Sequence, residues 1–110
     1  MTEENLTFDV VIVGAGPSGL AAAIKLKQLA LETKQDISIC VVEKSSSIGG
    51  HILSGAVIDT GSLTELVPDW ENDNSPINTK VTKDEFYYFH SNGKAFKIPS
   101  AFIPNSLKND

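Results

Sequence analysis

The stretch Asp9-Val10-Val11-Ile12-Val13-Gly14-Ala15-Gly16-Pro17-Ser18-Gly19-Leu20 decides the fold of this chain. Together with Phe8, its first half is a short, nearly continuous apolar run rich in β-branched residues. That is the composition of a strand covered on both faces, as in parallel sheets. Gly14 to Gly19 breaks the run with the pattern G-x-G-x-x-G. Gly14 permits the tight turn out of the strand. Gly16 lets the backbone approach an anionic diphosphate where a Cβ would clash, and Gly19 lets the following helix pack closely on the strand. Ala15, Pro17 and Ser18 fill the remaining positions. Pro17 is tolerated because the amide it lacks would have no partner in a first helical turn. The helix start adds unpaired N–H groups and the positive end of its dipole.

The flanking sequence supports this reading. Ser18 to Leu31 predicts a helix with Lys25, Gln28 and Glu32 on one solvated stripe and small or apolar residues elsewhere. Glu32 to Asp36 is polar and reads as a loop. Ile37 to Val42 is a second apolar, β-branched run that ends in Glu43. Strand, helix, strand in this order implies a right-handed parallel crossover. Glu43 follows Gly19 by 24 residues, against roughly 20 for the acid that binds a ribose in dinucleotide folds. A carboxylate there accepts hydrogen bonds from both ribose hydroxyls and repels a 2′-phosphate, so NADP fits poorly. Lys44 is counted with the same site, its charge directed to solvent. Cys40, within the second run, reads as a small buried hydrophobe.

Beyond Glu43 lies a loop of small residues, Ser45 to Gly50, followed by His51 and by Ser54-Gly55-Ala56. The paired Gly49 and Gly50 so soon after the ribose acid resemble the second flavin signature of the glutathione-reductase-like flavoproteins, where the chain passes close to FAD. On that resemblance His51 sits beside the flavin or its diphosphate without an acid–base role, and Ser54, Gly55 and Ala56 line the flavin. No nucleophile–base pairing stands out, so no side chain is assigned as catalytic.

Ser62 to Val67 predicts a short helix stopped by Pro68. Trp70 to Pro76 is polar and turn-rich, which sets the expected division: residues 1–76 as the dinucleotide-binding unit with its flavin loop, and 77–110 as the start of a second domain. Thr79 to His90 and Lys94 to Pro99 read as two strands around Ser91-Asn92-Gly93, a hairpin turn. Phe86, Tyr87, Tyr88, Phe89 and Phe96 gather most of the chain's aromatics here. Ser106 to Asp110 carries no helix or strand signal.

Residues 9–29 (DVVIVGAGPSGLAAAIKLKQL), 42–57 (VEKSSSIGGHILSGAV) and 66–70 (LVPDW), continued through Phe86-Tyr87-Tyr88 and Ile98-Pro99 to Phe102-Ile103-Pro104, resemble the electron transfer flavoprotein–ubiquinone oxidoreductases. The combination G-G-H-x-x-S-G-A with P-D-W is far more selective than the glycine motif. The resemblance implies an α/β, Rossmann-like FAD-binding domain at the N-terminus of an enzyme on the membrane surface. It would be peripheral on the inner membrane of a bacterium, or on the mitochondrial inner membrane in a processed eukaryotic form. Such an enzyme takes electrons from reduced electron transfer flavoprotein and passes them to ubiquinone. The aromatic hairpin and the segment after it, through Phe86, Tyr88, Phe96, Phe102 and Ile103, would contribute to the quinone site and the membrane contact. A [4Fe–4S] cluster, also implied, needs four thiolates, and this chain has only Cys40. The cluster is therefore expected outside these 110 residues, and the chain is expected to be an N-terminal fragment, inactive alone. Other FAD-dependent oxidoreductases, geranylgeranyl-reductase-like or monooxygenase-like, and a non-enzymatic truncated nucleotide-binding module are the alternatives.

Composition agrees with a globular chain: 41% hydrophobic and 21% charged residues. A net charge of −5 without a basic stripe argues against nucleic acid as a partner. One cysteine excludes an internal disulfide. No apolar run approaches the length of a membrane-spanning helix. The acidic start, with Glu3 and Glu4, lacks the features of a signal peptide, and Met1 is expected to be a natural start.

Overall fold

The computed structural model describes residues 3–109. Contacts divide the chain into two compact units, Met1–Gly55 and Ala56–Asp110. This division falls about fifteen residues before the turn-rich segment at 70–76. Residues 56–76 hold to their own unit locally: the Trp70 indole Nε1 donates to Thr64 Oγ1 at 2.9 Å, and that hydroxyl donates to the Thr60 carbonyl at 2.9 Å.

In the first unit, strand β1 (Val10–Val13) leads into helix α1 (Pro17–Glu32), which returns the chain to strand β2 (Ile39–Val42). The strands pair in parallel, Val10 opposite Ile39 through Val13 opposite Val42. The expected crossover is therefore present, with each strand shorter by two residues at its start than the apolar run suggests. At that end Asp9 and Ser38 close the pair in place of the ladder. The Asp9 amide donates to Ser38 Oγ at 2.9 Å, and the Ser38 amide and hydroxyl donate to Asp9 Oδ2 at 2.9 and 3.0 Å. These bonds hold the Asp9 carboxyl below its ordinary pKa, the Ser38 amide contributing most.

Helix α1 ends in a Schellman motif. The Gln35 amide reaches the Ala30 carbonyl at 2.8 Å and the Lys34 amide reaches Leu31 at 3.2 Å. Lys34 occupies the left-handed position, φ 54°, that glycine favours. The helix covers one face of the sheet only. Ala15 and Ala30 are the buried apolar residues among those described, while Val11 and Val13 are 54% and 85% exposed. The apolar runs call for cover on both faces, and this chain places a single helix against one of them.

The second unit contains helix α2 (Gly61–Leu66), a 3-10 turn at Trp70–Asn72, and strands β3 (Phe86–Phe89) and β4 (Ala95–Ile98). The strands form the expected antiparallel hairpin, Tyr88 opposite Phe96 and Tyr87 opposite Lys97. Gly93, φ 80°, supplies the left-handed residue of its turn. The first strand is much shorter than the 79–90 expected: residues 79–85 pair with nothing in the ladder. Glu85 pins the hairpin base, its carboxylate taking Lys83 and Lys97 ammonium groups at 2.5 and 2.7 Å and the Tyr87 hydroxyl at 2.9 Å. Two further 3-10 turns, Ser100–Phe102 and Asn105–Leu107, follow. The latter forms where the sequence carried no signal, and Asp84 Oδ2 accepts the Asn109 amide and side chain nearby at 2.9 and 3.0 Å.

Candidate functional site

The carboxyl ends of β1 and β2 carry the chemistry of the first unit. Gly14 leaves β1 with φ 104°, a conformation open to glycine, and its amide continues the ladder to the Val42 carbonyl at 2.7 Å. The next amide, that of Ala15, donates to Glu43 Oε2 at 3.1 Å. Glu43 Oε1 accepts the Ser45 amide at 3.2 Å. The Ser45 and Ala15 amides, in that order, lower the Glu43 pKa, with smaller help from the Lys44 amide and from His51. The carboxylate is thus ionised and held between the glycine loop and the segment after β2.

Gly16 is the N-cap of α1, and a side chain built on it meets nothing within 4 Å. Gly19 is the opposite case. A Cβ there would overlap the Gly14 carbonyl oxygen and press on the Ile12 side chain. So Gly19 serves packing of α1 on β1, while Gly16 faces open space. The Ser18 and Gly19 amides have no carbonyl a turn back to pair with. A hollow of about 360 Å³ lies at the carboxyl ends of β1 and β2, lined by Val13, Gly14, Val42, Glu43 and Lys44. Open room at Gly16, free helix-start amides and an ionised acid with spare lone pairs are what a ribose-diphosphate requires, so these residues fit the group. A larger groove of about 460 Å³, lined by Phe8, Ala23, Ile24, Lys27, Ile37, Ser38, Ile39 and Val41, is mostly apolar. Its two polar side chains are engaged locally, Lys27 with the Ile37 carbonyl and Ser38 with Asp9, so it offers nothing convergent to a ligand.

Residues 12–83 match the NAD(P)-binding Rossmann-like domain family. The chain belongs to that family. As a Rossmann-like domain it also resembles longer proteins. It is 53% identical, over all 110 residues, to an electron transfer flavoprotein-ubiquinone oxidoreductase of Pseudomonas aeruginosa, covering 20% of that protein. It is 48% identical over 102 residues to the mitochondrial protein of the same name from Homo sapiens, and 59% over 102 residues to that of Rattus norvegicus, 93% of this chain and 16% of each relative. The chain thus spans about a fifth or less of these relatives, in their N-terminal part.

The βαβ geometry brings Gly14, Ala15, Glu43 and Lys44 together, with Gly16, Pro17, Ser18 and Gly19 following directly in the chain, and His51 bears on Glu43 electrostatically. The glycine pair has a local role first. Gly49 takes φ 77°, and a Cβ on Gly50 would overlap the Ser45 hydroxyl. Ser54, Gly55 and Ala56 are exposed and straddle the division between the two units. In the second unit Phe86 and Ile103 are half-buried, whereas Tyr88, Phe96 and Phe102 are exposed. The Tyr88 and Phe96 rings pack 5.6 Å apart at 48°. Sequence reasoning passed over Ser45 and the Asp9–Ser38 clasp. The only signal for Ser45 was its place two residues after the acid; an acid just before β1 was the signal for the other.

Among the described residues no helix is long and apolar enough to cross a membrane.

Proposed function

We propose that this chain holds the ADP half of FAD in a flavoprotein of the glutathione-reductase-like type, one that passes electrons from reduced electron transfer flavoprotein to ubiquinone. The observation that supports the reading is the Glu43 carboxylate holding the Ala15 amide beside a hollow lined by Val13, Gly14, Val42, Glu43 and Lys44, with open room at Gly16 and the start of α1 next in the chain. Gly16, Ser18 and Gly19 would face the diphosphate with backbone alone. Glu43 would use its remaining lone pairs for the ribose hydroxyls, and its charge disfavours a 2′-phosphate. Gly49, Gly50 and His51, then Ser54, Gly55 and Ala56, would run along the cofactor toward the isoalloxazine. FAD, when bound, supplies the electron-carrying chemistry, so this chain's residues bind and orient. The donor and acceptor are those named by the relatives.

In the same reading a second domain begins near residue 77. Its hairpin presents exposed aromatic side chains, which are favoured at membrane–water interfaces. Phe86, Tyr88, Phe96, Phe102 and Ile103 would contribute to the quinone site and to peripheral attachment on a bacterial or mitochondrial inner membrane. The [4Fe–4S] cluster lies outside this chain, since Cys40 is alone and sits on β2. The test is the full-length protein. It should purify yellow, reduce a ubiquinone analogue when given reduced electron transfer flavoprotein, and lose its flavin on Gly16→Val. A colourless wild-type protein that takes up no FAD would refute the assignment.

A further inference from the structure

We propose that Glu43 is also a positioning residue: it fastens the glycine loop in its binding shape before any nucleotide arrives. The inference rests on the dinucleotide reading above but concerns bonds within the protein. Gly14 and Ala15 present consecutive amides to the end of β2. The first goes to the Val42 carbonyl at 2.7 Å, the second to Glu43 Oε2 at 3.1 Å. The other carboxylate oxygen holds the Ser45 amide at 3.2 Å, so the side chain is fixed from both sides. Ala15 is only 4% exposed, and its amide has no backbone carbonyl to take it. Beyond it the loop meets nothing on its open side at Gly16. The Glu43 carboxylate is therefore the last tie before the loop enters free space.

This divides the loop's amides between two tasks. Those of Gly14 and Ala15 hold the loop to β2, and those of Gly16, Ser18 and Gly19 remain for an anion, the Leu20 amide being bonded to the Gly16 carbonyl. A carboxylate suits the first task because it is acceptor-only and can take both amides. An amide side chain of the same shape cannot, since its NH₂ would face one of the two donors.

The test uses the full-length apoprotein, wild type and Glu43→Gln, with two probes: FAD, and inorganic pyrophosphate, which carries the diphosphate and no ribose. Removing a negative charge beside a diphosphate strengthens binding by Coulomb's law alone. The clasp demands the reverse. Glu43→Gln should bind pyrophosphate about tenfold more weakly. Amide exchange over residues 12–20 should speed up by a similar factor, with the β3–β4 hairpin unchanged. Pyrophosphate binding that is equal or tighter, with unchanged exchange but weaker FAD binding, would overturn the proposal and leave the FAD reading intact. A wild type that ignores FAD would sink the FAD reading, and loop exchange would still decide the clasp. Should Glu43→Gln fail to fold, Glu43→Asp, which keeps the charge but is too short to span both amides, gives the same exchange measurement.

Discussion

The Gly19 Cα faces the carbonyl oxygen of Gly14 so closely that no Cβ fits between them. Gly16, three residues earlier and in the same motif, is bounded by nothing. Two glycines of one fingerprint thus answer to different forces, and substitutions should separate them. Gly19→Ala forces α1 away from β1 and should cost about 1–3 kcal/mol of stability, the range for overpacking. Gly16 has φ −80°, ψ −178°, which any residue adopts, so Gly16→Val should leave the urea midpoint of the full-length apoprotein nearly unchanged while abolishing FAD binding. Equal effects of the two changes on urea unfolding would contradict this assignment.

Lys34 stands at the left-handed position of the α1 Schellman motif. A side chain there costs about 1–2 kcal/mol relative to glycine. Lys34→Gly should therefore stabilise the first unit by about 1 kcal/mol, after the entropy glycine adds to the unfolded chain. Denaturant unfolding of the full-length protein checks the sign.

Acid should release the flavin through Glu43. The two amides hold its carboxyl below the ordinary 4.5, so the group binds fewer protons folded than unfolded. Its contribution is complete above 4.5 and disappears as pH falls through the lower folded value. Flavin fluorescence, low when bound, should rise across that acid window in the wild type. In Glu43→Gln the affinity should be weaker throughout and lack this step.

The Glu85 carboxyl is pushed down to about 2 by Lys83, Lys97 and the Tyr87 hydroxyl. By the same sign argument the clamp at the hairpin base persists from neutral pH down through 4.5 and is lost only near pH 2. Because every member is exposed, its weight should be small and salt-sensitive. A carboxyl-carbon NMR titration of Glu85 that gave an ordinary value would dismiss the network.

With Ala15 and Ala30 the buried apolar residues among those described, and Val11 and Val13 exposed on the sheet, the 110 residues expressed by themselves should unfold gradually. Trp70 fluorescence during a urea titration reports this. A steep transition with a midpoint of several molar would show that the described packing understates the chain's own cohesion.

The parallel pair was legible in advance because its causes are local. Apolar β-branched runs at 8–13 and 37–42, broken by G-x-G-x-x-G, leave few other arrangements. Glu43 was legible as the acid at a strand end, since spacing alone places it there. What it touches was not legible: its bonds to Ala15 and Ser45 depend on the register that sets Val13 opposite Val42, and register is a tertiary fact. The same holds for the different duties of Gly16 and Gly19, which look alike in a motif and differ only by what stands in front of them. Patterns of polarity and turn chemistry act within a few residues and are written along the chain. Contacts between residues some thirty apart exist only once helix α1 has carried the second strand back beside the first.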